Sequence, residues 1–173
     1  MGRNVEIKAK ARDLEYQRKL ADALADSGPQ VFYQEDTFFN CSVGRLKLRS
    51  SPDGMGELIH YQRQDCVEPG ESNYVRSVIN DPEPLKEVLS NALGVHAVVR
   101  KKRTVYIVGR TRVHLDEVEG LGSFIELEVV LRAGEASESG AVVARDLMTR
   151  LDIQVKDLVK LAYVDLLWGG TQK

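Results

Sequence analysis

Cysteine is scarce. The 173 residues contain two, Cys41 and Cys66. Neither belongs to a CxxC pair and neither lies near a histidine cluster, which argues against zinc; both are read as reduced thiols in or near strands. Long apolar runs are missing, so no segment reaches the length a membrane span needs. There is no Walker A sequence, no kinase signature and no GxGxxG, so any bound nucleotide must be gripped by side chains rather than by a Gly-rich loop. A basic excess is missing too: 24 Lys and Arg stand against 26 Asp and Glu, a net charge of −2, which argues against a general nucleic-acid binder. The opening MGRNVEIKAK carries charges where a secretory leader has its apolar stretch, and Glu6 stands where a myristoylation signal has Ser or Thr. A cytoplasmic protein with no membrane or nucleic-acid partner is expected.

What is present is patterning. Arg3 to Lys10 alternates, with Asn4, Glu6, Lys8 and Lys10 on one face and Val5, Ile7 and Ala9 on the other, the period of a strand. Asp13 is suited to cap a helix that Ser27-Gly28-Pro29 stops. Further strands are predicted over Val31–Asn40, Gly44–Ser50, Glu57–Arg63, Asn73–Ile79, Val95–Val108, Thr111–Val118 and Ser123–Leu131. Ser51-Pro52-Asp53-Gly54 and Gly120-Leu121-Gly122 are among the turns between them. A second helix runs from Asp81-Pro82 to about Leu93. Ala133–Gly140 reads as a loop, Ala141–Leu151 as a third helix, and Lys156–Trp168 as helical in part. The fold class is therefore α+β. Strand runs joined by tight turns favour an eight-stranded antiparallel barrel with helices packed outside, because closure removes exposed edges.

Several strands have an apolar face and a charged one. The charged faces carry Glu6 and Lys8; Arg45, Lys47 and Arg49; Tyr61 and Arg63; Lys101 and Arg103; Arg112, His114 and Asp116; Glu126 and Glu128. Periodicity alone allows these faces to point to solvent or into the barrel. An inward set is costly unless the charges are paired or hold a ligand. The kind of charge favours a ligand. Alternating Arg and Lys ring a polyanion with donors, and Glu6, Glu126 and Glu128 are hard oxygen ligands suited to Mg²⁺ or Mn²⁺. Cations on one wall and metal-binding acids on another meet the needs of phosphoryl chemistry. His114 shares the parity of Asp116 and would suit general-base work, against the plainer reading of a packing histidine. Tyr163 suits core packing, and Trp168 is read as packing.

Asn4-Val5-Glu6-Ile7-Lys8 resembles the ExExK opening of the CYTH superfamily. Lys47-Leu48-Arg49, Lys101-Lys102-Arg103 and the run from Leu115 to Glu128 (LDEVEGLGSFIELE) resemble its later elements, and Ala162-Tyr163-Val164-Asp165-Leu166-Leu167 resembles its closing segment. The resemblance covers nearly the whole chain and implies one domain over residues 1–173, an eight-stranded triphosphate tunnel with charged residues inward. It implies metal on Glu6, Glu126 and Glu128, and triphosphate contacts from Lys8, Lys47, Arg49, Arg63 and Arg103, with Lys101 and Arg45 added. It also implies the other reading of Tyr163, an aromatic at the tunnel mouth. Catalytic roles fall on Glu6, Lys8 and Asp116, the last near the metal or orienting a basic neighbour. The first Glu of the opening motif is Asn4 here, which removes one charge from the metal side. The expected activity is hydrolysis of tripolyphosphate or an organic triphosphate such as ATP or thiamine triphosphate. Cyclisation of ATP to cyclic AMP and pyrophosphate, and a non-catalytic polyphosphate or nucleotide sensor, are the rivals. The sequence leaves a homodimer open.

Overall fold

The computed structural model describes residues 2–63 and 68–170. Its elements run β1 (Gly2–Lys10), α1 (Leu14–Leu24), β2 (Ser27–Phe39), β3 (Arg45–Ser50), β4 (Gly56–Arg63), β5 (Gly70–Ile79), α2 (Pro82–Leu93), β6 (Val95–Val108), β7 (Thr111–Val118), β8 (Gly122–Val130), α3 (Ser137–Arg150), a 3₁₀ turn at Val155–Asp157 and α4 (Tyr163–Gly170). The strands pair antiparallel in the order β1-β5-β4-β3-β2-β6-β7-β8, and β8 pairs back with β1 to close the ring. The eight-stranded tunnel architecture is thus present, with four α-helices around it.

The alternation in β1 resolves the question of direction. Val5, Ile7 and Ala9 are buried on the outside of the ring. Ile7 and Ala9 pack with Leu127, Leu147, Met148 and Leu151, and Val5 with Val129, Ala141 and Ala144. The apolar core therefore lies between the outer face of the ring and helices α1 and α3, and the charged faces that carry Glu6 and Lys8, Lys47 and Arg49, Lys101 and Arg103, and Glu126 and Glu128 turn inward. Asp13 caps α1 as its sequence suggests, accepting from the Tyr16 N–H at 2.9 Å.

Some boundaries differ from the sequence reading. β2 begins at Ser27, because the segment expected to be only a turn already pairs with Ile107 of β6. α3 begins at Ser137, so half of the expected loop is helical. Gly140 had pointed to a loop, but its role is close packing: a Cβ there would stand 2.8 Å from side-chain atoms of Val5 and Leu131. Between the 3₁₀ turn and α4 the tail is not helical. It runs along β1 instead, with Leu158 bridging Ala9 and the Val159 N–H donating to the Lys8 carbonyl at 2.8 Å. Cys41 is exposed just beyond β2, and Cys66 lies outside the described residues. Among the described residues no helix is long and apolar enough to cross a membrane.

Candidate functional site in the tunnel

The ring encloses a cavity of about 450 Å³. Eight Lys and Arg side chains line it against five carboxylates. A chain that is slightly acidic overall thus concentrates positive charge at its centre, the arrangement that attracts and holds a polyanion.

Strand register assembles one wall. On the inward face Glu6 of β1 stands opposite Glu128 of β8, which stands opposite Arg112 of β7; one step along, Lys8, Glu126 and His114 form the parallel row. Arg112 Nε donates to Glu128 Oε2 at 2.8 Å. Glu126 sits 3.3 Å from Lys8 Nζ through Oε1 and 2.6 Å from an Arg103 nitrogen through Oε2. Burial works to raise these two carboxyls, but it is outweighed by Lys8 and Arg103 at Glu126, which stays well below the usual range, and by His114 and Arg112 at Glu128, which falls to about 2. Glu6 moves the other way. Burial and the facing Glu128 raise it, opposed by Arg63 at 3.3 Å.

The opposite wall is organised by Asp36, which is 1 % exposed. Its carboxylate accepts from Arg49 Nε at 2.7 Å and a terminal Arg49 nitrogen at 2.9 Å, from Lys47 Nζ at 2.9 Å and from Lys101 Nζ at 2.8 Å. Burial would raise its carboxyl, yet Arg49, Lys101 and Lys47 hold it well below the ordinary value. Lys101 pays for the crowding: its burial, only partly offset by Asp36 and reinforced by Arg49 and Arg103, lowers it to about 7.

Arg103 joins the walls. Asp116, fully buried behind it, accepts from Arg103 Nε at 2.7 Å and from a terminal nitrogen at 2.5 Å, leaving the guanidinium aimed at Glu126. Asp116 also accepts from the Tyr163 hydroxyl at 2.9 Å. Of the two expectations for Asp116, orientation of a basic neighbour matches these contacts.

Sequence-expected residues Glu6, Lys8, Lys47, Arg49, Arg63, Lys101, Arg103, Glu126 and Glu128 all line the cavity. Arg45 shares their parity but lies at the end covered by α4, donating to Asp165 at 2.8 Å. There the inward face turns apolar: Phe38 and Val99 pack with Ala162, Tyr163 and Val164. Lys8 Nζ donates to the Leu161 carbonyl at 3.1 Å and lies 3.9 Å above the Tyr163 ring, and Arg63 donates to the Lys160 carbonyl at 3.0 Å. Sequence reasoning missed Asp36. Its signal was a lone acid at inward parity between Gln34 and Phe38 in an otherwise aromatic strand.

The donor set suits a divalent cation. Ligand atoms of His114, Glu126 and Glu128 all lie within 4.8 Å of one another, and the Asn4 amide oxygen and His114 Nδ1 are buried without a hydrogen-bond partner. Glu6 stands beside this group rather than within it.

The CYTH domain pattern matches residues 2–163. The chain belongs to the CYTH family. No curated protein sequence matches it. Among solved structures it resembles the PH1012 protein of Pyrococcus horikoshii OT3, with 24% identity over 94% of this chain and 98% of the other and a TM-score of 0.85. A Vibrio parahaemolyticus protein assigned as an adenylate cyclase shows 16% identity, coverage of 95% and 97%, and a TM-score of 0.77. HpAC1 from Hippeastrum, assigned as an adenylyl cyclase and having a dominant triphosphatase activity, shows 16% identity, coverage of 98% and 96%, and a TM-score of 0.67. These likenesses are of fold. CYTH proteins act on triphosphates and generally use divalent metals, which accords with an enzyme.

Proposed function

We propose that this CYTH protein is a divalent-metal-dependent triphosphatase that hydrolyses tripolyphosphate or an organic triphosphate. The observation that carries the reading is the facing of two walls across one cavity, with Lys47, Arg49 and Lys101 on one, Glu6, Glu126 and Glu128 on the other, and Arg103 joining them. The cationic wall binds the chain of phosphates. Arg103, locked by Asp116, presents a fixed guanidinium where charge accumulates as a P–O bond breaks. Glu126 and Glu128, with Glu6 beside them, would hold Mg²⁺ or Mn²⁺, which supplies neutralisation of phosphate charge. Lys8, whose ammonium is disfavoured by burial against the pull of Glu126, is placed to move a proton at Nζ on the acidic side.

A second reading, cyclisation of ATP to cyclic AMP, draws on a different feature. The tunnel lining also includes Phe32, Tyr74, Val105 and Ile107, a surface on which a nucleobase could rest while the 3′-hydroxyl attacks the α-phosphorus. Incubating the protein with tripolyphosphate, ATP or thiamine triphosphate and Mg²⁺ or Mn²⁺, then following all products by ³¹P NMR, separates the two. Orthophosphate is expected. Pyrophosphate with cyclic AMP would establish the cyclase, and unchanged substrates in every mixture would leave a binding protein without turnover.

A further inference from the structure

His114 is not accounted for by the phosphate grip. It lies on β7 directly across from Glu126 of β8. It is 4% exposed, and its Nδ1 has no hydrogen-bond partner. That nitrogen points between two carboxylates, 3.7 Å from Glu128 Oε1 and 3.8 Å from Glu126 Oε2. Both separations exceed a hydrogen bond. They match donors that share an ion, since atoms about 2.1 Å from one metal stand roughly 3–4 Å apart. Arg112 takes the other oxygen of Glu128 and Lys8 faces the other oxygen of Glu126, while Glu126 Oε2 itself also accepts from Arg103 at 2.6 Å, a contact that an ion would share or displace. An orphaned ring nitrogen is costly in a buried site unless something occupies its lone pair.

We propose that His114 is a metal ligand, completing with Glu126 and Glu128 a mixed nitrogen–oxygen site that takes Mn²⁺ in preference to Mg²⁺. The inference rests on the metal-dependent reading of the tunnel and adds to it the ligand that sets metal choice. Mg²⁺ favours an all-oxygen shell and keeps its waters. An imidazole nitrogen shifts preference towards transition ions, among which Mn²⁺ also accepts carboxylates readily. The neutral imidazole brings a donor without adding a further charge to a position where two carboxylates are already paired with Arg112, Lys8 and Arg103. Binding through Nδ1 requires the tautomer protonated at Nε2.

An imidazolium bridging the two acids would give the same separations, so the test must report the bond itself. Mn²⁺ is titrated into the protein without nucleotide, free ion is followed by continuous-wave EPR, and the bound ion is examined by electron spin echo envelope modulation. A ¹⁴N coupling is expected. It should change to the ¹⁵N pattern when the protein is grown on ¹⁵N-histidine, which needs no variant; His60 and His96 do not line the cavity, so the assignment to His114 follows. His114→Gln should abolish the coupling and weaken Mn²⁺ binding on the order of tenfold or more, while Mg²⁺ affinity, read by competition, falls far less. Bound Mn²⁺ lacking nitrogen coupling would overturn the role of His114 and leave the metal reading standing. Failure of Mn²⁺ to bind, with or without tripolyphosphate, would overturn both.

Discussion

Lys101 Nζ donates to Asp36 Oδ2 at 2.8 Å, with each side chain 2% exposed. The same carboxylate also takes Lys47 and Arg49. One buried acid therefore holds three cations that would otherwise repel each other in a low-dielectric space, a cluster maintained against its own electrostatics. Asp36→Asn keeps the shape and removes the charge. The variant should lose about 3–5 kcal/mol of stability, the cost of leaving buried charge uncompensated. Tripolyphosphate supplies the missing negative charge, so it should raise the melting temperature more in the variant than in the parent. Equal ligand shifts in the two proteins, measured by thermal denaturation, would show that Asp36 does not organise the anion site.

Lys101 gives a pH signature. Its folded value of about 7 lies below the ordinary lysine value of 10.5, so at pH 8 the free protein holds it mostly neutral. A polyanion favours the charged form and raises that value on binding. Tripolyphosphate binding at pH 8 should therefore take up a proton, approaching one per site, and affinity should fall as pH rises through the neutral range. Calorimetry in buffers of different ionisation enthalpy reads the uptake directly. Lys101→Arg, charged throughout, should abolish this contribution. The linkage to folding has the corresponding sign: because the folded value is depressed, Lys101's contribution favours the folded state above 10.5 and is lost as pH falls through about 7.

Arg103 is tied at two nitrogens to Asp116 and reaches Glu126 as well. A lysine keeps the charge but cannot satisfy that fork. Arg103→Lys should lower kcat/KM for the preferred triphosphate on the order of 10²-fold, with the loss mostly in kcat. A change confined to KM would mark Arg103 as a ground-state contact alone.

Much of this site was legible in the alternation of the strands. Glu6 and Lys8 share a face because strand periodicity is two, and Lys47/Arg49 and Lys101/Arg103 follow the same rule. Alternation cannot tell inside from outside, since an apolar face can meet a core on either side of a sheet. The structure decides it by placing α1 and α3 against Ile7, Leu127 and Val5. Cross-strand facts were beyond local reading. Asp36 acquires its role from Lys47 and Arg49 on β3 and from Lys101 on β6, and His114 acquires its acids from the register of β7 with β8. Arg45 shows the same limit: it has the right parity, and its contact with Asp165 of α4 is another that local alternation does not reveal.

Tyr163 was readable as a core aromatic or as part of the tunnel mouth; it is buried and lines the tunnel. Its ring packs edge-on to Phe124 at 4.9 Å, while its hydroxyl donates to Asp116. Burial beside Glu126 and Asp116 raises the hydroxyl well above its ordinary value, so it stays a proton donor across the working pH range. Tyr163→Phe preserves the packing and deletes this one bond to a buried carboxylate, which should cost about 1.5–3 kcal/mol of stability. Asp116 would then be held by Arg103 alone, and the guanidinium would lose part of its fixed aim. A cycle with Arg103→Lys tests that chain of support. The two substitutions should be non-additive in kcat, because the second removes what the first had positioned. Strict additivity would mean that Tyr163 stabilises the end of the tunnel without directing Arg103.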